Sequence, residues 1–421
     1  MKKLIYDVVI IGGGPAGLSA ALEAKKNGVE HVLICERGSH LGGILGQCIH
    51  NGFGLQYFHE ELTGPEYAER FINKVKETDI KINLNTIVID ILNDKKIIAV
   101  NGTAGLFEVD TKAVILAMGC RERTREALTI PGDRPAGVMT AGTAQRYVNI
   151  DGYIPGKQVV ILGSGDIGLI MARRLTLEGA NVKGVLEIMP FSTGLIRNKV
   201  QCLDDFNIPL YLNHTVTRIH GKERLQGVTI AKVDRNLCAI KETERYIECD
   251  TLLLSVGLIP ENELSQKIGI EFDPVSKGAV VNEKRRTNVP WVFACGNVLH
   301  VHDLVDNVTK EGEIAGKAVA EYINHRLNIR EKRITVKHDN NIGYIVPQFI
   351  DFNDFQGKNV NLYMRVRKPD KEVSLIVKDS NDTMIANFKK DIVTPGSMIT
   401  LSIPEKLFSH DINMINVIMQ K

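Results

Sequence analysis

The chain has no C-x-x-C pair, although it carries seven cysteines: Cys35, Cys48, Cys120, Cys202, Cys238, Cys249 and Cys295. Their odd number and wide scatter exclude the disulfide framework of a small secreted domain and point to reduced thiols in a cytoplasmic setting. An excess of one charge is lacking too. Against 52 lysines and arginines stand 50 acidic residues, a net charge of +2, which gives no sign of nucleic acid or an anionic membrane as partner. No apolar run approaches the length of a membrane span. Lys2 and Lys3 precede an apolar run as in a signal peptide, but Asp7 interrupts it and the glycine turn beyond needs its strand, so the start reads as mature protein. What remains is ordinary globular composition, 44% hydrophobic and 24% charged over 421 residues. That length holds two or three domains, each with its own core.

The first organised stretch runs from Tyr6 to Leu18. Val8 to Ile11 is short, β-branched and stopped by Gly12-Gly13-Gly14, which predicts a buried parallel strand entering a tight turn. Pro15, Ala16 and Gly17 then open a helix. Gly12 permits the turn, Gly14 lets a pyrophosphate approach the backbone, and Gly17 lets the helix pack on its strand. The free amides and dipole of the helix start favour the phosphates. Val32 to Cys35 is the next strand, and Glu36, nineteen residues after Gly17, is placed to accept from a ribose diol. Residues 37 to 54 hold six glycines with little periodicity, a loop folded against that nucleotide site. Arg37 and Gly43 join the site from this loop, and Cys48 and His50 are its reactive-capable side chains.

Residues 65 to 78 predict an amphipathic helix with Tyr67, Phe71, Ile72 and Val75 on its apolar side. A meander follows through 80–91, 96–100 and 107–109, then a separate buried strand from Thr111 ending at Ala117-Met118-Gly119. Near residue 158 the opening pattern returns: the strand Gln158 to Leu162, the turn Gly163-Ser164-Gly165-Asp166-Ile167-Gly168, a helix, and a strand reaching Glu187. An acid at 187 repels a 2′-phosphate, so this second site favours NAD over NADP. Residues 208 to 254 read as strands joined by turns, and the buried run 250–256 leads to Gly257 as the earlier one leads to Gly119. The two halves therefore repeat each other.

Trp291 to Asn297 gives a strand ending at Gly296-Asn297, and a helix is expected from about Lys310 to Asn324. His300, His302 and Asp303 lie between them without a further ligand cluster nearby, so no metal is expected. From Arg333 onward the composition shifts to strands. Leu362, Met364 and Val366 alternate with Tyr363, Arg365 and Arg367, and Val373, Leu375 and Val377 repeat the alternation after a Pro369-Asp370 turn. The fold class expected is α/β, two Rossmann-like domains followed by a small all-β domain. The expected boundaries are 1–121 with 255–328, 122–254, and 329–421, the last serving to dock a partner or another protomer.

Taken together the motifs resemble the two-dinucleotide-fold flavoprotein disulfide reductase superfamily, over residues 1 to about 328 and with five motifs in the expected order. The resemblance implies FAD on the first glycine turn, NAD on the second, and Gly296 and Asn297 beside the ribityl-pyrophosphate part of FAD. The family usually has aspartate at the latter position; asparagine keeps an acceptor and gains donors. The paired cysteines of the dithiol branches are missing, which leaves a single-cysteine route through Cys48 as an alternative. Gly42 to Gly54 with Cys295 to Asp303 is similar to the flavoproteins found beside the anaerobic type of glycerol-3-phosphate dehydrogenase. It is also similar to flavoprotein subunits of opine oxidase, amino-acid dehydrogenase and hydrogen cyanide synthase. Those relatives work in complexes, which implies electron exchange with a second subunit, with His50, His302 and Asp303 handling protons; a structural assembly subunit is the further alternative.

Overall fold

The computed structural model describes residues 2–325, 333–351, 359–408 and 412–421. Contacts divide the chain into two compact units: Met1–Cys120, Pro260–Val393 and Met398–Lys421 form one, Arg121–Ile259 and Thr394–Ser397 the other.

In the first unit the strand Lys2–Ile11 lies between Val32–Cys35 and Gly105–Leu116 and runs parallel to both. Its apolar end, Val8 to Ile11, is buried because helices cover a parallel sheet on its faces. The strand is longer than that run, since Lys2 to Tyr6 pair with Phe107 to Thr111. For the same reason the stretches expected as two strands, 107–109 and 111–119, are one continuous strand that ends at Leu116. Lys81–Asn83 extends the sheet on one side, Lys96–Asn101 and Thr86–Leu92 on the other, and Val292–Ala294 pairs with the end of Gly105–Leu116.

The helix Gly64–Lys76 starts at Thr63, whose hydroxyl and the Glu66 side chain form a reciprocal capping box. Tyr67, Phe71 and Val75 are its buried side. The helix Val305–Ile323 begins five residues before the expected Lys310, so Asp306 falls in its first turn. It lies against the helix Pro15–Lys26 through two glycines. A Cβ on Gly312 would stand 2.3 Å from the Ala16 carbonyl oxygen, and one on Gly316 2.3 Å from that of Ala20.

After Arg333 the strands form a five-stranded and a three-stranded sheet around a common core that includes Ile334, Leu362, Met364, Leu375 and Ile415. The Pro369-Asp370 turn hands the chain from one sheet to the other: Val360–Val366 pairs with Ile342–Val346 and Ile399–Ile403, whereas Asp370–Asp379 pairs with Met384–Val393 and Met414–Gln420.

The second unit is built on a five-stranded parallel sheet, ordered Val138–Thr140, Thr251–Leu254, Gln158–Leu162, Asn181–Glu187 and Leu210–Leu212. The helix Asp166–Leu177 follows its glycine turn, and His214–His220, Gly227–Lys232 and Arg245–Glu248 make a separate antiparallel sheet. The short helices Arg125–Leu128 and Ala141–Arg146 occupy a stretch in which the sequence shows no motif. Among the described residues, no helix is long and apolar enough to cross a membrane.

Replacing Gly316 by alanine is expected to destabilise the first unit by about 1–3 kcal/mol, the range for overpacking a close backbone contact. Chemical denaturation of the purified protein measures it, and an unchanged midpoint would show that the helices separate freely at this point.

Candidate functional site

The first glycine turn is shaped by close contacts on three sides and left open on one. Gly12 has φ +109°, and a Cβ there would stand 2.3 Å from the Ala117 carbonyl oxygen and 3.3 Å from Met118 Cα. A Cβ on Gly17 would stand 1.9 Å from the Gly12 carbonyl oxygen. Only glycine fits at either place. At Gly14 the nearest atom is Gly43 Cα, 3.9 Å away, so the backbone is open to a close-approaching ligand. Gly14 also caps the helix that begins at Pro15, with no side-chain cap on its first amides. Those amides suit the phosphates of a dinucleotide. Glu36 is fixed at the head of the turn, its two oxygens accepting from the Gly13 and Gly38 amides at 2.7 Å each. Each oxygen keeps acceptor capacity for a ribose hydroxyl. Arg37 is exposed.

Gly296 and Asn297 join this turn from the far end of the chain. A Cβ on Gly296 would stand 2.8 Å from Ala16 Cβ. The Asn297 amide donates to Cys120 Sγ at 3.7 Å, and its oxygen accepts from the His302 backbone N–H at 3.1 Å. Cys120 directly follows Gly119, whose φ is +72°. Three sequence-distant motifs therefore meet at one helix start, and the residues present fit FAD.

The second turn repeats the shape. A Cβ on Gly163, φ +97°, would stand 2.0 Å from the Ser255 carbonyl oxygen, and one on Gly168 2.7 Å from Ser255 Cβ. Gly165 caps its helix without a side-chain cap. The Asp166 carboxylate accepts from the Leu195 amide at 2.8 Å and from Asn198 Nδ2 at 2.7 Å, while Ile167 is half-buried beside it. Gly257 lies in the same unit, its carbonyl accepting from the Arg123 amide. Glu187 differs from Glu36. It is 4% exposed, and its Oε2 accepts from the Ser164 amide, the Ser164 hydroxyl and the Thr193 hydroxyl, while Oε1 accepts from the Met189 amide. Ser164 and Thr193 are thus site residues that the glycine spacing alone does not single out.

Cys48 lies just beyond the short 3-10 turn Gly43–Gln47. Its thiol donates to the Ile44 carbonyl at 3.3 Å, and its own carbonyl accepts from the Gly64 amide at 2.9 Å. Burial pushes the Cys48 thiol up to about 12. The side chain is partly buried, and this shift opposes the thiolate that a nucleophile needs. The His50 ring packs on Phe53 with centroids 5.0 Å apart.

A buried charged cluster of the first unit surrounds Glu311. Its Oε1 accepts from Arg285 Nε at 2.8 Å and lies 3.1 Å from His300 Nε2; its Oε2 accepts from the Gly296 amide at 2.7 Å and lies 3.0 Å from His302 Nε2. Burial works to raise the Glu311 carboxyl, but His300, Arg285 and His302 hold it well below its ordinary range. Burial pulls His300 down to about 4. Neither Arg285 nor Glu311 stands out as a functional residue in the sequence. One signal was present: Glu311 lies four residues before Ala315 and seven before Ala318, on the apolar stripe of its helix.

The three-stranded C-terminal sheet closes this cluster. Tyr344 and Arg365 are direct partners across two strands, and Tyr363 shares the strand face of Arg365. The His300 ring lies 5.9 Å from that of Tyr344 and 6.1 Å from that of Tyr363. Arg365 donates to the Val301 carbonyl at 3.1 Å, and the Met398 amide donates to Asp303 Oδ2 at 3.0 Å. Donor atoms of His300, His302 and Glu311 lie within 4.8 Å of one another, a spacing that could hold a metal ion. Yet Arg285 already balances Glu311, so a divalent ion would add two uncompensated charges to a buried site.

A histidine held low in the fold binds fewer protons than it does unfolded, so its contribution is present above its ordinary value of 6.5 and is lost as pH falls toward 4. Stability of the native protein is expected to fall through this window by up to about 1.4 kcal/mol per pH unit. His300→Phe should flatten that slope in denaturation measured from pH 7 to 4; an unaltered slope would assign it to other groups.

Comparison with known proteins agrees with this geometry. Hydrogen cyanide synthase subunit HcnB of Pseudomonas protegens is 28% identical over 314 residues, 69% of this chain and 65% of that protein. An opine oxidase subunit of Agrobacterium tumefaciens is 26% identical over 288 residues, 63% of this chain and 55% of that protein. The chain thus spans less than two thirds of the length of either. Among solved structures, thioredoxin reductase of T. acidophilum superposes with a TM-score of 0.60 at 25% identity, covering 76% of this chain and 98% of that one. Residues 6–315 match the family described as pyridine nucleotide-disulphide oxidoreductase. With two glycine turns built for dinucleotides and this match over most of its length, the chain belongs to that family of FAD- and NAD(P)H-dependent oxidoreductases.

Proposed function

We propose that this protein is a cytoplasmic oxidoreductase that transfers hydride between NAD(H) and bound FAD and exchanges the electrons with a protein partner, a subunit of the glycerol-3-phosphate dehydrogenase kind. One observation carries the reading. Two glycine turns lead into helices whose first amides have no side-chain cap, while burial pushes the thiol of the adjoining loop, Cys48, up to about 12 and none of the seven cysteines is in a disulfide. Electrons leaving a flavin that Cys48 does not accept need another acceptor. That two relatives are named as subunits of hydrogen cyanide synthase and opine oxidase supports a protein in that role, in a hetero-oligomer.

FAD, when bound, supplies the two-electron chemistry. The chain's own residues hold and orient it. Gly12, Gly14, Pro15, Ala16 and Gly17 present their backbone to the pyrophosphate, Glu36 accepts from the ribose, and Gly43, Ala117, Met118, Gly119, Gly296 and Asn297 enclose it. Gly163, Gly165, Asp166, Ile167, Gly168, Glu187 and Gly257 serve the nicotinamide nucleotide. His50, His302 and Asp303 are assigned to proton handling; His300, which burial pulls down to about 4, is left out of that role. A disulfide or peroxide reductase working through Cys48 needs a thiolate, which the burial of that sulfur opposes.

Anaerobic addition of NADH to the purified protein is expected to bleach the oxidised flavin bands, with a weaker response to NADPH. Cys48→Ser should bleach equally. Bound flavin that stays oxidised with both nucleotides would overturn the hydride-transfer reading in favour of a structural role. Loss of disulfide or peroxide turnover in Cys48→Ser, with bleaching intact, would replace the partner reading with the single-thiol reductase.

A further inference from the structure

We infer that Thr193, held from behind by Gly396 and joined by Ser164, is the positioning residue that sets nucleotide choice at the second glycine turn. This rests on the assignment of NAD(H) to that turn. Choice between the two nucleotides depends on the acid that ends the strand Asn181–Glu187, because a carboxylate accepts from a ribose diol and repels a 2′-phosphate. Here that acid does not stand alone. Three donors already occupy Glu187 Oε2: the Ser164 amide at 3.0 Å, the Ser164 hydroxyl at 2.5 Å and the Thr193 hydroxyl at 3.1 Å. Among the described residues Oε1 has a single donor, the Met189 amide at 3.0 Å, and is the oxygen with acceptor capacity left for a ribose hydroxyl. The Thr193 and Ser164 hydroxyls fix the plane of the carboxylate and with it the direction in which the remaining lone pair of the outer oxygen points.

Thr193 is itself tightly located. Its amide donates to the Ser164 hydroxyl at 2.9 Å, and two residues on the Leu195 amide donates to Asp166. The segment 193–195 is thereby tied to Ser164 and Asp166 of the glycine turn. A Cβ on Gly194 would stand 2.8 Å from the Ser164 carbonyl oxygen. On its other side lies Gly396, from the segment Thr394–Ser397 that belongs to this unit although it is distant in sequence. A Cβ on Gly396 would stand 2.6 Å from the Thr193 carbonyl oxygen and 3.0 Å from the Gly194 carbonyl. A four-residue segment from far along the chain therefore supports the acid of a nucleotide site.

The test compares NADH and NADPH in steady-state flavin reduction and in direct titration of the FAD-loaded protein. Thr193→Val removes one hydroxyl at nearly constant volume. It is expected to raise the KM and Kd for NADH about tenfold, as for a ribose hydrogen bond to the Glu187 carboxylate that is no longer aligned, with kcat and the flavin spectrum unchanged. The NADH over NADPH preference should fall by the same factor. Thr193→Ser keeps the hydroxyl and should keep the parent preference, and Gly396→Ala should shift it in the direction of Thr193→Val. A parent protein that binds neither nucleotide would overturn the assignment of the second turn, and this inference with it. A parent that prefers NADH, with the preference unmoved in Thr193→Val, would overturn the inference alone.

Discussion

A buried carboxylate needs donors on both oxygens, and in the first unit that need fixes where distant parts of the chain must stand. Glu311 brings together the Gly296 amide, Arg285, His300 and His302 around one ionised group. Gly296 in turn rests on Ala16 at the start of the first helix, and Asn297 reaches both Cys120 and His302. The arrangement of the first glycine turn, the Gly119 bend and the strand Val292–Ala294 is therefore conditional on one anion. Loss of any donor would leave part of that charge unpaired where water cannot reach it, a cost of several kcal/mol. The helix Val305–Ile323 carries the anion, and the two glycines that let it lie close to Pro15–Lys26 fix its distance from the turn.

The two glycine turns share a backbone shape and differ in how their acids are used. Glu36 spends one acceptor on each of two backbone amides and remains half-exposed. Glu187 is enclosed, with three donors on a single oxygen. The first acid is held by the turn itself. The second depends on the segment 193–195 and through it on residues far along the chain. Equal spacing in sequence has produced unequal chemistry.

What was legible in the sequence was whatever depends on neighbours. The strand, glycine turn and helix at 8–17 and again at 158–168 are specified by β-branched runs, positive φ and close backbone approach, all of which act within a few residues. The alternation at 360–366 was legible as a strand for the same reason. Alternation shows that a strand has two faces; it does not show that both are covered. The Tyr363 and Arg365 face meets His300 and Val301, a contact that only the tertiary fold creates. The Arg285 and Glu311 pair was hidden likewise, apart from one acid on an apolar stripe. The helix start at Val305 was misplaced because no capping side chain marks it: Leu304 is its N-cap.

The three-stranded sheet Ile342–Val346, Val360–Val366 and Ile399–Ile403 has its apolar face in one core and its polar face against the histidine segment. A sheet covered on both sides has no surface left on which sequence can drift freely. These strands lie after residue 315, where the family match ends, and yet they shield an anion that lies within the matched stretch. In this protein, then, a buried anion inside the matched stretch depends on a wall built from strands that lie beyond it.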